Sequence, residues 1–278
     1  MGARLLVVEG NAADVRARQV AAGKATTADA YAGVLHSLAP DAICTTARPA
    51  DDDWTALTLA ELKQFDGAVF TGSALHAYDE TPQVQRQIDL ARSIFAAGIA
   101  FFGSCWGLQV AAVAAGGQVA RNPKGREIGF ARNIVLTEAG SAHPMYRGKP
   151  RVFDAPAVHL DEIATLPPDV SVLAGNGMSA VQAVEIRHDR GVFWGVQYHP
   201  EYSVNDVAAT LRRYGSLLVE EGLFANDAAR DAFVRDLEGL HTPGGRSAFL
   251  SHHGLDATVL DLESRLAELR NWINFQVL

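Results

Sequence analysis

Two short stretches of this chain carry residue types whose spacing could do covalent chemistry. In Phe102-Gly103-Ser104-Cys105-Trp106-Gly107-Leu108-Gln109 a cysteine stands between an apolar run and a helical pattern, with glycines two residues before and two after it. That is the spacing of a nucleophile elbow, with cysteine in place of serine. The turn is sharp and neighbouring backbone approaches closely, so the flanking positions leave no room for a β-carbon. A cysteine at a helix start also meets unpaired N–H groups and the positive end of the helix dipole, both of which favour a thiolate. The second stretch is Gly195-Val196-Gln197-Tyr198-His199-Pro200-Glu201, an apolar strand ending in His-Pro-Glu. Pro200 biases His199 toward extended backbone, so residues two apart project to one side and the carboxylate can reach the imidazole. Cys105 can then attack an amide carbon, His199 can take the thiol proton and return it to departing ammonia, and Glu201 can fix the imidazole tautomer.

The elements that must bring these groups together are readable from periodicity. Strand-like runs alternate with helical patterns through the first part of the chain, the signature of a mostly parallel sheet covered on both faces. Arg4–Glu9, Ala42–Thr46, Gly67–Thr71 and Ile99–Phe102 read as strands. Thr26–Leu38 reads as a helix, and Glu80–Ala97 as another, with Val84, Ile88, Ala91 and Phe95 on one face, Pro82 in the first turn and Gly98 past the end. Trp106–Ala115 is the helix that Cys105 begins, stopped by Gly116-Gly117. From Glu127 to Gln197 the pattern becomes strands separated by Gly, Pro, Asn and Asp, which predicts hairpins attached to the sheet. Helical patterns return after Glu201, with Val207, Leu211, Tyr214 and Leu218 on one face and Leu262, Leu266, Leu269 and Ile273 on another. Thr242–Ser247 reads as a loop, His252-His253 as part of a polar loop, and Asp51-Asp52-Asp53 as the solvated start of a helix.

At this point the chain resembles the class I, triad-type glutamine amidotransferases, most similar to the glutaminase part of GMP synthetases and their stand-alone relatives. Five motifs carry the resemblance over roughly residues 5–201: Phe70-Thr-Gly-Ser-Ala74 followed by Tyr78-Asp79; Gly103-Ser-Cys-Trp-Gly-Leu-Gln109; Glu127-Ile-Gly129; His159-Leu-Asp161; and Gln197-Tyr-His-Pro-Glu201. The resemblance implies an α/β, flavodoxin-like fold and a γ-glutamyl thioester on Cys105. It also implies an oxyanion hole from the backbone of Trp106 and of Gly72-Ser73, with Gln109 and the backbone near His159 holding glutamine. The family's usual turn is Ser-Gly-Gly-Pro, whereas this chain has Thr71-Gly72-Ser73-Ala74, so the expected oxyanion glycine is a serine. From the residues alone, Gly72 reads also as an ordinary turn glycine and His159 as a core histidine.

Residues 1–204 form the expected amidotransferase domain, and 205–278 a C-terminal helical extension packed on it. The 278 residues, 48% of them hydrophobic, can bury a large core. A net charge of −8 with no basic run argues against nucleic acid, and no apolar run is long enough to cross a bilayer. Two cysteines, Cys44 and Cys105, give no disulfide framework and suit a reducing cytosol, and no signal peptide is read at the start. No phosphate loop, dinucleotide fingerprint or metal-ligand motif is found, so neither cofactor nor metal is expected. Three functions stay open: a glutaminase passing ammonia to a separate synthase subunit, a self-sufficient hydrolase or peptidase of γ-glutamyl amides, and a catalytically silent binding protein. A homo-oligomer is also open, and the apolar stripe at Leu262–Ile273 reads equally as an interface or as internal core.

Overall fold

In the computed structural model, which describes residues 2–242 and 244–278, strands and helices alternate through the first half of the chain. They run β1 (Arg4–Val8), α1 (Ala13–Ala21), α2 (Thr27–Leu38), β2 (Ile43–Ala47), α3 (Leu59–Leu62), β3 (Gly67–Phe70), α4 (Pro82–Ala97), β4 (Phe101–Ser104) and α5 (Trp106–Ala114). Strands then dominate: β5 (Gln118–Arg121), β6 (Glu127–Leu136), the short α6 (Glu138–Ala142), β7 (Val152–His159), β8 (Asp161–Thr165), β9 (Val170–Gly175), β10 (Ala183–His188) and β11 (Gly191–Val196). The end of the chain is helical: α7 (Val204–Tyr214), α8 (Leu217–Glu220), α9 (Asp227–Glu238), α10 (Gly245–His253), α11 (Leu262–Arg265) and α12 (Ala267–Trp272).

The large sheet has the order β2-β1-β3-β4-β11-β10-β9-β6-β7. Its first five strands are mutually parallel, and β11 begins an antiparallel half through β10, β9, β6 and β7. The parallel half thus keeps the flavodoxin-like order, in which ligands bind beyond the carboxyl ends of the strands near the point where the order reverses. The hairpins expected from Glu127 onward extend this same sheet, while β5 and β8 form a separate two-stranded ribbon.

Each face of the sheet carries its own core. On one, Val84, Ile88, Ala91 and Phe95 of α4 pack with Phe101 and the apolar side of α5. The helix is delimited as its sequence predicts, by Pro82 in the first turn and by Gly98 in the left-handed conformation at φ 76°. On the other face, Tyr31 and Leu35 of α2 pack with Leu5, Val7, Phe102 and Val196, and with Leu266, Leu269, Trp272 and Ile273 from the chain's end. A third cluster joins Val207 and Leu211 of α7 to Val234, Leu237 and Phe249 over Phe130 of β6.

Several expectations are corrected. The stripe Leu262–Ile273 is not one helix face: α11 stops at Arg265, α12 begins at Ala267, and a π-helical turn follows from Ile273 to Val277. Leu262 is 54% exposed while the other three are buried in the main core. Asp51 and Asp52 lie in a loop rather than at a helix start, where they pair with Arg16 and Arg86. Arg246, Ser247, His252 and His253 belong to α10, so the expected loops there are shorter, and Pro243 of the Thr242–Ser247 stretch lies outside the described residues.

Candidate functional site

The carboxyl ends of β1, β3, β4 and β11 converge, and each contributes backbone or side chains to one site. Cys105 follows β4 and caps α5 with φ 51° and ψ −98°, a left-side conformation that non-glycine residues rarely adopt. Its N–H donates to Val196 O of β11 at 2.8 Å, which fixes the elbow to the neighbouring strand. The flanking glycines are needed sterically. A β-carbon on Gly103 would lie 2.7 Å from the Gly107 backbone, and one on Gly107 would lie 2.7 Å from Phe70 of β3. Cys105 Sγ points to Val158 O at 3.5 Å and is almost wholly buried.

His199 sits beyond the end of β11 with its own N–H on Pro156 O at 2.7 Å. Its Nδ1 meets Glu201 Oε1 at 2.6 Å, and its Nε2 is buried with no hydrogen-bond partner among the described residues. The Tyr202 ring stacks on the imidazole at 4.1 Å between centroids. Burial alone would disfavour the imidazolium. Tyr202, the Glu201 carboxylate and the Cys105 thiol outweigh it and push the imidazole well above its ordinary value. The structure thus places Cys105, His199 and Glu201 close together beyond the ends of β4 and β11. Cys44 is remote on β2, half-buried, and its thiol is pushed up by burial.

The turn after β3 lies against the imidazole. A β-carbon on Gly72 would stand 2.9 Å from His199 Cε1, so glycine is required there by close approach. Ser73 is not among the non-glycine residues with positive φ, which are Cys105, Asn133, Asp169 and Asp189. Its hydroxyl donates to Gly10 O at 2.8 Å, and Thr71 Oγ1 accepts the Gly10 N–H at 3.0 Å. Trp106 adds to this seam, its indole donating to Gln87 Oε1 at 2.7 Å while Gln87 Nε2 donates to Gly10 O. The Ser73 and Trp106 amides have no acceptor among the described residues. The serine that replaces the expected glycine thus keeps ordinary backbone angles and buttresses the turn.

Gln109 is buried on α5 and makes only long hydrogen bonds, 3.4 Å to Asp161 O and 3.4 Å to Gln197 Oε1. The His159 side chain is fully engaged, with Nε2 at 2.8 Å from Glu127 Oε2 and Nδ1 at 3.0 Å from Asp161 O. Glu127 also accepts from Asn176 and Gln182, so the Glu-x-Gly and His-x-Asp motifs form one buried polar network. Asp161 carries the outer edge, taking His76 Nδ1 at 2.6 Å and the Tyr78 hydroxyl at 3.3 Å. Sequence reasoning missed the side-chain partners of the triad, Ser104, Tyr31 and Tyr202. Ser104 and Tyr202 adjoin motif residues, whereas Tyr31 carries no local signal. Away from this site, Asp236, His252 and His253 gather with their ligand atoms within 4.8 Å of one another at the surface of α9 and α10.

The sequence profile of the glutamine amidotransferase class-I family matches residues 27–213. A γ-glutamyl-L-1-hydroxyisopropylamide hydrolase of a Pseudomonas species is 38% identical over 222 residues, covering 78% of this chain and 74% of that protein. A glutamine-hydrolysing GMP synthase of Thermomicrobium roseum is 31% identical over 166 residues, 59% of this chain but 28% of its own length. γ-Glutamyl peptidase 4 of Arabidopsis thaliana is 30% identical over 145 residues, 51% of this chain and 56% of the peptidase. Among solved structures, a glutamine amidotransferase of Thermotoga maritima superimposes over 100% of this chain with a TM-score of 0.62 at 17% identity, and covers 99% of that chain. One of Methylobacillus flagellatus gives 0.63 at 21% identity over 99% of this chain and 95% of its own.

Proposed function

Because the chain belongs to the glutamine amidotransferase class-I family, we propose that it hydrolyses a γ-glutamyl amide through a thioester on Cys105, with His199 as base and Glu201 as orienter. The observation that carries this reading is the imidazole itself: Nδ1 is fixed by Glu201 at 2.6 Å, while Nε2 has no hydrogen-bond partner among the described residues and the ring lies close to a cysteine held on a strained elbow. His199 takes the thiol proton, and sulfur adds to the amide carbon as the carbonyl electron pair moves to oxygen. The Trp106 and Ser73 amides, free of acceptors among the described residues, would donate to that developing charge with the Gly72 backbone beside them. The adduct collapses with cleavage of the C–N bond, and His199 returns the proton to the departing amine. Water then gives a proton to His199 and attacks the thioester, the C–S bond breaks, and glutamate leaves with the thiol restored. Gln109, whose bonds to its neighbours are long, serves the glutamyl part of the substrate together with the backbone around His159.

The relatives support two readings of the substrate class. The match to a γ-glutamyl alkylamide hydrolase spans most of both chains, and it favours a γ-glutamyl conjugate of a small amine as the substrate of a self-sufficient enzyme. The likeness to GMP synthases supports a second reading, in which glutamine is the substrate and a separate synthase subunit takes the ammonia. Steady-state hydrolysis of glutamine and of a series of γ-glutamyl alkylamides by the purified chain separates the two. The first reading expects a higher kcat/KM for an alkylamide than for glutamine, and the second the reverse order. Absence of turnover across the whole series, with the protein folded, would overturn both.

A further inference from the structure

Glu201 has two carboxylate oxygens, and orienting His199 uses one of them. The other, Oε2, accepts a hydrogen bond from the Ser104 hydroxyl at 2.9 Å, and Ser104 Oγ lies 3.1 Å from the Tyr31 hydroxyl. Serine has a single hydroxyl proton, and an ionised carboxylate only accepts. With that proton committed to Glu201, Tyr31 must be the donor to Ser104, so the bonds run in one direction from Tyr31 through Ser104 to Glu201. Ser104 and Tyr31 are 0% and 1% exposed, so water cannot replace either hydroxyl without a rearrangement of the core. Burial, with the Glu201 charge added, pushes the Tyr31 hydroxyl well above its ordinary value and keeps it a protonated donor. The bonds link α2, the end of β4 and the turn after β11, segments separated by 73 and 97 residues in the chain.

We propose that Ser104 and Tyr31 are positioning residues for hydrolysis, a buried pair of hydroxyls that locks the plane of the Glu201 carboxylate and through it the orientation and basicity of His199. This rests on the triad reading above. A carboxylate held at one oxygen can turn about its terminal torsion, which is broad and roughly two-fold. Anchoring the second oxygen removes that freedom and holds Oε1 on the imidazole. Both hydroxyls join the site through the Glu201 carboxylate, which meets His199 at Nδ1. The charged or titratable groups around this pair are His199 and Tyr202 on the same segment as Glu201, Cys105 at the head of α5, and Arg265 at the end of α11, which acts on Glu201 electrostatically.

The test is the pH profile of kcat/KM for the best γ-glutamyl amide, measured for the wild type, Ser104→Ala, Tyr31→Phe, the double variant and His199→Ala. Ser104→Ala should lower kcat about tenfold and Tyr31→Phe about threefold, with KM little changed, as expected for one lost buried hydrogen bond at each step. Glu201 is among the groups that hold the His199 pKa above its ordinary value, so a loosened carboxylate lowers it, and the acid limb, where the base is lost to protonation, moves to lower pH. The double variant should lose no more than Ser104→Ala alone, because Tyr31 acts only through Ser104. Tyr31→Phe removes a single oxygen and keeps the test valid if Ser104→Ala does not fold. An inactive His199→Ala alongside wild-type profiles for the other variants would overturn the positioning role and leave the triad standing. Full activity in His199→Ala would overturn both.

Discussion

Cys105 is held on a strained turn by its surroundings. Its backbone is held at φ 51° because β4 must turn into α5 while the Gly103 and Gly107 backbones touch, and strain of this kind persists only where the surrounding packing over-determines it. The imidazole is confined from several sides at once, by Glu201 at Nδ1, by the Tyr202 ring on its face and by Gly72 at its Cε1 edge. Unequal losses follow on mutation. His199→Ala should nearly eliminate acyl transfer because the imidazole moves the proton, whereas Glu201→Gln should retain measurable turnover because the carboxylate orients and stabilises. Single-turnover rates with the best substrate check the order, and equal rates for the two variants would contradict it. At Gly72 a methyl group would collide with His199 Cε1 at 2.9 Å. Gly72→Ala should therefore cut kcat/KM by about a hundredfold, the loss a displacement near 1 Å brings to a reacting group, with little change in melting temperature. A variant with wild-type kcat/KM would show that the turn and the imidazole can part without consequence.

Among elements, the last helix had two readings open, interface or internal core. Leu266, Leu269 and Ile273 fall in the core, and Trp272 of α12, beside the stripe in sequence, is among the most deeply buried side chains packed on the sheet. Glu268 is equally hidden from sequence reasoning, since a glutamate on a helix reads as a solvated face. In the structure it is fully buried and pairs with Lys149 and the hydroxyl of Tyr198, the residue before His199. Burial pulls the Lys149 pKa down while Glu268 holds it up, so the pair survives only if both partners stay. Truncation after Thr258 should therefore unfold the protein or leave it insoluble, and Trp272→Ala should cost about 3–5 kcal/mol. Denaturant unfolding of Trp272→Ala measures this, and a loss below about 1 kcal/mol would return the chain's end to a surface role. By contrast α4 was legible in advance, because a 3.6-residue apolar period lay between a proline and a glycine and tertiary packing had nothing to override. In the tail, the helix breaks at Leu266, at φ −91° and ψ 8°, and no local signal announces the burial of Glu268 or Trp272.

For the molecule as a whole, the site is assembled from residues 9–11, 71–74, 104–109 and 197–201, which only the β2-β1-β3-β4-β11 order brings to one edge. The parallel half and the motif residues could be read from the chain, since each rests on a short pattern. The antiparallel half could be read only as strands. Its order, the pairing of β7 with β6 and the separate β5–β8 ribbon depend on registers between segments far apart, and β5, β7 and β8 carry too little alternation to stand out. The same limit hid Ser104 as a partner of Glu201, and Tyr31 behind it. Among the described residues no helix is long and apolar enough to cross a membrane. The central claim, that Cys105 is the nucleophile, is tested most directly by acid-quenching the enzyme during turnover of a γ-glutamyl amide and locating the acyl group by peptide mass spectrometry. A single γ-glutamyl unit on Cys105, absent from Cys105→Ala and from the resting enzyme, is the result this account predicts. An acyl group on Cys44 or elsewhere, or undiminished turnover by Cys105→Ala, would contradict it.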